Sequence, residues 1–98
     1  MTRVVNLLVN EKVIELDYFV QGFIDHTISG MLVALEGVGT IERAEISING
    51  VNVMVNVNKN ELPVNPFVSK LIRNTIFGMI SSLKGVGDIS SVRITVQR

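Results

Sequence analysis

The sequence predicts an α+β domain in which one strand–helix–strand unit occurs twice. Two observations predict it. Residues 3–50 align with residues 51–98, and each half places a helical segment between two segments of alternating polarity. The alignment is clearest where the pattern Ile-x-Gly-Met-x-x-x-Leu-x-Gly-Val-Gly-x-Ile at 28–41 recurs at 76–89. We call the two halves repeat 1 and repeat 2.

Four segments alternate between apolar and polar residues, which is typical of half-buried strands. Their apolar faces are expected to meet in one core. The strands are predicted at 3–9, 40–48, 51–58 and 90–96, with Val5, Leu7, Val9, Ala44, Ile46, Ile48, Val51, Val53, Val55, Val57, Val92, Ile94 and Val96 facing that core.

The second and third strands are joined by a short turn. The dipeptide Asn49-Gly50 predicts a type I′ hairpin there, because both residue types tolerate a positive φ. The placement of residues 10–16 stays open, since the stretch 13–16 either extends the first strand or pairs with it.

One helix is predicted in each repeat, with its start and stop at equivalent positions. Asp17 is the expected N-cap of a helix over about 18–36, and Asn65 is the expected N-cap of the second, with a proline directly after it. Gly37 and Gly85 are the expected C′ residues. The predicted core stripes are Val20, Ile24, Thr27, Ile28, Met31 and Leu35, and Val68, Ile72, Thr75, Ile76, Met79 and Leu83.

Two mid-helix glycines occupy equivalent positions beside these stripes. Gly30 and Gly78 are expected to let the two helices approach closely, so that Gly78→Leu would be strongly destabilising. The element order then predicts a ferredoxin-like βαββαβ sandwich over a single domain, 1–98. This is a four-stranded antiparallel sheet with two helices on one face and an internal pseudo-twofold duplication.

The composition favours self-association. Hydrophobic residues make up 47% of the chain and charged residues 18%, which suggests more apolar surface than a small core can cover. Nine basic and nine acidic residues cancel, and no basic stripe predicts a nucleic-acid partner. We expect no signal peptide and no direct membrane span, and therefore a cytoplasmic protein. From the apolar composition we expect a homo-oligomer, with a dimer favoured, or a protein partner.

No residue pattern predicts catalysis, a cofactor or a metal. His26 is the only histidine and is expected on the solvent side of its helix beside Asp25, and there is no cysteine. Glu11, Glu15 and Asp17 lie near one another without the spacing of paired carboxylates. The Gly-Val-Gly segments follow helices, whereas a phosphate loop precedes a helix N-terminus. We therefore expect no enzyme.

The candidate interaction residues are Phe77, Ile80 and Leu32. Phe77 points away from the predicted core stripe, and the other two lie at its margin. Two interpretations stay open: ordinary surface hydrophobics, or a patch for a partner or a second copy. The outer face of the sheet lacks the stacked aromatics of an RNA-binding sheet.

The sequence resembles two protein families. Leu-x-Gly-Val before a strand, at 35–38 and 83–86, is similar to the helix exit of heavy-metal-associated domains, whose Cys-x-x-Cys is absent here. From residue 14 to 96 the layout resembles the alkaline-shock protein family. The matching points are Ile-x-Leu at 14–16, Glu-Gly-Val at 36–38, a proline-containing link at 61–65, Ile-Arg-Asn at 72–74 and Val-x-Ile-x-Val at 92–96.

The second resemblance implies a function. It implies a non-enzymatic protein associated with the cell envelope through protein partners in Gram-positive bacteria. The chain reads Lys84-Gly85 where that family has a Thr-Gly pair. Together with the composition, this predicts a non-catalytic protein–protein interaction or oligomerisation module, related to envelope stress or scaffolding. The alternative is a small-molecule-binding regulatory domain, with its ligand at a dimer interface or near the helix N-termini at Asp17 and Asn65.

Overall fold

A computed structural model describes residues 4–35 and 40–97. Within these residues each repeat contributes two strands, a helix and a third strand. The elements are β1 Val4–Val9, β2 Lys12–Ile14, α1 Tyr18–Val33, β3 Arg43–Asn49, β4 Asn52–Val57, β5 Asn60–Leu62, α2 Pro66–Ile80 and β6 Ser91–Gln97.

The described strands form one six-stranded antiparallel sheet in the order β2-β1-β6-β3-β4-β5. The predicted four-stranded ferredoxin-like βαββαβ sheet is therefore wrong. The reason lies in two turns, Asn10-Glu11 and Asn58-Lys59, in which all four residues have positive φ as a type I′ turn requires. Each turn adds a three-residue strand before the helix, so each repeat is ββαβ. Residues 12–14, whose placement was open, pair with β1.

The pairing register is symmetric between the repeats. Ile46 pairs with its own equivalent, Ile94, at the centre of the β3–β6 pair. The β1–β6 pair Val5↔Val96 has its counterpart in the β3–β4 pair Ile48↔Val53. Consequently the first strand of each repeat lies beside the last strand of the other, and the two repeats interlock.

Two equivalent asparagines, which we call the asparagine clamps, fasten this interlock. Asn10 Oδ1 accepts hydrogen bonds from Ser90 N at 2.7 Å and Ser91 N at 3.0 Å, and its Nδ2 donates to Asp88 O at 2.7 Å. The backbone N–H of Asn10 also donates to Ser91 O at 2.9 Å. The clamp therefore ties a turn of repeat 1 to the start of β6 in repeat 2.

Asn58 of repeat 2 makes the equivalent hydrogen bonds to residues of repeat 1. Its Oδ1 accepts from Glu42 N at 2.8 Å and Arg43 N at 3.0 Å, and its Nδ2 donates to Thr40 O at 2.8 Å. Its backbone N–H donates to Arg43 O at 2.8 Å. An asparagine suits both sites because it tolerates positive φ and has both a donor and an acceptor in its side chain.

The β3–β4 turn differs from the prediction. Asn49 pairs with Asn52, so the loop residues are Gly50 and Val51, and Gly50 alone of these two has a positive φ, +61°. A positive φ at the first loop residue is the pattern of a type II′ turn, in which glycine is preferred. The predicted type I′ turn centred on Asn49-Gly50 is wrong by one residue.

The helix ends also differ from the prediction. α1 ends at Val33, and Gly37 lies outside the described residues. α2 ends at Ile80, well before Gly85, because the chain tightens into three-residue turns: Leu83 N donates to Ile80 O at 3.0 Å. Gly85 has a φ of +82° and follows these turns without capping the helix directly.

Both helices cover the same face of the sheet. The inward side chains of β1, β3, β4 and β6 pack with Ile24, Ile28, Ile72 and Ile76 in one core, as predicted. Val51 is exposed in its turn, and Val53 is only partly buried. Thr75 is exposed, so the core stripe of α2 is turned away from the predicted one.

The predicted close approach at the helix glycines is wrong. A Cβ atom placed on Gly30 or Gly78 would have no neighbour within 4 Å. Both glycines are exposed, so the strong destabilisation expected for Gly78→Leu has no structural basis within one chain.

Candidate interaction surface

Helix α1 exposes a surface without formal charge. It begins at Asp17, whose Oδ1 accepts a hydrogen bond from Val20 N at 2.8 Å and so caps the helix. One side of the helix is buried against the sheet through Ile24, Ile28 and Leu32. The exposed residues of the helix, which we call the α1 outer face, are Tyr18, Phe19, Phe23, His26, Gly30 and Val33.

This face departs from the usual pattern of a surface helix. Such a helix normally carries charged and polar residues opposite its core stripe, and a helix that is apolar on all sides is normally buried. Tyr18, Phe19 and Phe23 expose 88%, 73% and 54% of their surface, and Val33 exposes 68%. The α1 outer face therefore has the composition of an interface.

The two phenylalanines of this face contact each other. The ring centroids of Phe19 and Phe23 are 6.1 Å apart and the rings are inclined by 45°, within the range of favourable aromatic pairs. The positions equivalent to them in α2 are Phe67 and Leu71, which are also exposed, by 68% and 51%. Large apolar side chains thus occupy equivalent exposed sites in both repeats.

A groove lies between the two helices beside these rings. Its volume is about 230 Å³, and Phe19 and Phe23 line it from α1. Met79 lines it from the end of α2, and Ser82 and Leu83 line it from the turns that follow the helix. The groove extends the apolar surface of α1 towards the second helix.

The exposed glycines add to this argument. A helix glycine costs about 1 kcal/mol relative to alanine, and Gly30 and Gly78 gain no packing within the chain in return. Both lie on the exposed sides of their helices. A glycine there removes the side chain that would otherwise hold another backbone at a distance.

The predicted interaction residues lie elsewhere. Leu32 and Ile80 are completely buried and belong to the core, so they present no surface to a partner. Phe77 is partly buried, and the guanidinium carbon of Arg73 lies 4.6 Å from the centre of its ring. Arg73 Nε also donates to Gly50 O at 2.8 Å, so this cluster fastens α2 to the β3–β4 turn. A role for Phe77 in binding stays a prediction.

Sequence reasoning missed Phe19 and Phe23 as a surface pair. The available signal was that Phe19 recurs as Phe67 although neither residue lies on a core stripe. Asp25 was also misplaced: it was expected beside His26 on the solvent side, but it is completely buried and takes part in a polar interaction. Its neighbours on the helix, Ile28 and Leu32, are core residues, which was the signal for its burial.

The two helix N-caps, near which a ligand was considered, make hydrogen bonds within the chain. The N-cap oxygens of Asp17 and Asn65 accept backbone hydrogen bonds from Val20 and Val68, each at 2.8 Å, so the two caps already have structural partners. Among the described residues, no group of histidine and acidic side chains is arranged to hold a metal ion. His26 is exposed on the α1 outer face.

No helix within the described residues has the length and apolarity needed to cross a membrane. Comparisons with protein-family models, with curated proteins and with solved structures find no match to this chain.

Proposed function

We propose that this protein is a non-catalytic protein–protein interaction or oligomerisation module that binds through the α1 outer face. The observation behind the proposal is that the exposed residues of α1 include four large apolar side chains and no formally charged one. Clusters of this kind on a small domain mark binding surfaces, because isolated hydrophobic residues are common but contiguous patches are not.

The groove supports the same proposal. Aromatic residues dominate the energetic centres of protein interfaces, above all where they sit beside a pocket that a partner can fill. Phe19 and Phe23 lie beside such a groove and also project into solvent. A partner side chain seated in the groove would contact both rings.

The test is to place charge on this face. In the variant Phe19→Glu/Phe23→Glu, we expect assembly to be lost, because two buried carboxylates would have no partner. The matched control is Val13→Glu, which alters an exposed valine (75% exposed) on β2, away from both helices. The proposal is contradicted if both variants assemble, or bind a partner, as tightly as the unmodified chain, with all three folded by circular dichroism.

A second candidate function is a small-molecule-binding regulatory domain. The observation that favours it is again the groove between α1 and α2, whose lining is apolar except for Ser82 and for backbone atoms. Such grooves hold ligands by apolar contact and a few polar groups. A thermal-shift screen of metabolites separates the two functions, because only a ligand-binding domain would gain stability from one compound.

We further propose a cytoplasmic location, peripheral to the membrane where a partner recruits the protein. This extends the resemblance to the alkaline-shock protein family, with its envelope-stress or scaffold role. The cysteine-free composition supports it, because small secreted domains usually depend on disulfides. Cell fractionation with an epitope-labelled chain tests it; recovery in the secreted fraction would contradict it.

A further inference from the structure

We infer that the partner of the α1 outer face is a second copy of this chain, packed helix layer against helix layer in a twofold-symmetric dimer. This inference rests on the proposed function and adds the identity of the molecule that binds the α1 outer face. Three features of the described residues lead to it: the charge of the face, its area and the positions of its apolar residues.

The charge of the face suits self-association. In a twofold dimer each residue near the axis meets its own copy, so a charged residue would meet a like charge. The α1 outer face contains no lysine, arginine, aspartate or glutamate. The α1 part of a helix-to-helix interface can therefore meet its own copy without repulsion between formal charges, whereas α2 contributes Lys70.

The area is of the size that a dimer needs. A fully buried aromatic side chain contributes roughly 150–250 Å². Weighted by their exposed fractions, Tyr18, Phe19 and Phe23 of the α1 outer face therefore offer roughly 320–540 Å² per chain, and Phe67 of α2 adds roughly 100–170 Å². A standard interface buries about 800 Å² per partner, and Val33 and Leu71 supply further apolar surface.

The positions of the apolar residues are also suited to a symmetric partner. Phe19 and Phe23 have exposed equivalents in Phe67 and Leu71, so one helix layer presents two related apolar sites. A second layer turned about a twofold axis presents the same two sites in return. Gly30 and Gly78, which have open space at their Cα atoms, allow the facing backbones to come close.

The same residues argue against a lipid surface as the occupant. A helix that lies in a membrane interface is usually flanked by lysine and arginine, which bind anionic headgroups. The exposed residues of α1 include neither, and those of α2 include Lys70 alone. A lipid surface is therefore the less suitable partner, and binding to vesicles is one of the results that the test below distinguishes.

The test uses the absence of cysteine from the chain, which makes single-cysteine labelling clean. Spin labels are attached to His26→Cys on the α1 outer face and, in a separate sample, to the control Asn6→Cys on the opposite, exposed face of the sheet. One chain is 18 Å thick along its shortest axis. In a helix-to-helix dimer the sheet-face labels are separated by both chains, so the His26→Cys distance is expected to be clearly the shorter.

The reverse order of distances would overturn the inference, since the copies would then meet through their sheets. It would leave an oligomerisation module standing but would contradict binding through the α1 outer face. A mass of one chain at every concentration, measured by light scattering, would also overturn the inference. Binding of that monomer to another protein through Phe23 would keep the proposed function. Sedimentation with anionic phospholipid vesicles, abolished by Phe23→Glu, would replace the second copy with a lipid surface.

The energetic centre of the dimer can be tested in the same system. Phe23→Glu is expected to raise the dimer dissociation constant at least ~30-fold, which is the effect of losing an interface hot spot. An unchanged dissociation constant in a correctly folded variant would overturn the assignment of Phe23 to the interface.

Discussion

Helices α1 and α2 occupy equivalent places in the two repeats but differ in their exposed surfaces. In both, the side-chain oxygen of the N-cap residue accepts a hydrogen bond from the backbone N–H three residues later, and both helices bury isoleucines against the sheet. The outer face of α1 is apolar with one histidine, whereas that of α2 includes Lys70, Asn74 and Thr75. The buried apolar residues are alike because both helices pack on the same core, so the difference between the exposed sides points to function.

A similar contrast separates Asp25 from its equivalent, Arg73. Asp25 is completely buried, whereas Arg73 lies over the ring of Phe77 and donates to the Gly50 carbonyl. Arg73 thereby fastens the outer side of α2 to its own chain. Of the exposed residues of α1 that the structure describes, Phe19 and Phe23 contact each other. This makes α1 the helix with the more available surface.

The largest expected effects test the assignment of equivalent residues to the core. Leu32→Ala and Ile80→Ala should each lower the free energy of unfolding by about 2–5 kcal/mol, because each leaves a cavity under its helix. Urea denaturation of both variants measures this. A loss below ~0.5 kcal/mol in either variant, typical of a surface site, would show that the helix is rotated from the position described here.

The asparagine clamps should come next in size. Asn10→Gly and Asn58→Gly keep the positive φ but remove the amide, so each should cost roughly 1–3 kcal/mol in the free energy of unfolding. Asn60→Ala is the control, since the side chain of Asn60 makes a single long bond of 3.3 Å to Asn58 O. Equal losses at the two clamps would support the symmetric interlock, and a neutral result at both would contradict it.

Substitution of the two helix glycines should change the free energy of unfolding least, and it tests whether α1 and α2 are equally exposed. Gly30→Ala and Gly78→Ala should each raise the free energy of unfolding by about 0.4–1 kcal/mol at low concentration, because the new methyl group meets open space. The same substitutions should weaken assembly wherever a partner backbone approaches. Denaturation of dilute samples, together with light scattering of concentrated ones, separates these opposite effects. A destabilised dilute Gly30→Ala chain would contradict the open space.

The sequence predicted the long strands and their inward faces because their alternation is regular over seven or so residues. It left β2 as one of two open alternatives and did not predict β5, since three residues are too few to establish a period and the two turns use Asn-Glu and Asn-Lys in place of the usual glycine. The sheet was therefore assigned four strands. The duplication itself was visible from the sequence, but the interlocking of the repeats depends on pairing between distant segments.

The candidate site was missed for a related physical reason. Periodicity orients a helix only when one side is polar, and α1 has apolar residues on both its buried and its exposed sides. The predicted stripe therefore included Thr27, which is only partly buried, and Leu32 was assigned to its margin although it is completely buried. The apolar residues on the exposed side of α1 thus prevented its orientation from being predicted, and they also make its outer face a candidate interface.

The most direct test of the central claim is the absolute mass of the unmodified chain by light scattering across a concentration series, repeated with Phe23→Glu and with its α2 equivalent, Leu71→Glu. We expect a dimer in the unmodified chain, dissociation by Phe23→Glu, and a weaker effect of Leu71→Glu, because α1 carries the larger apolar face. A monomer at all concentrations, or a dimer that neither substitution weakens, would contradict the account.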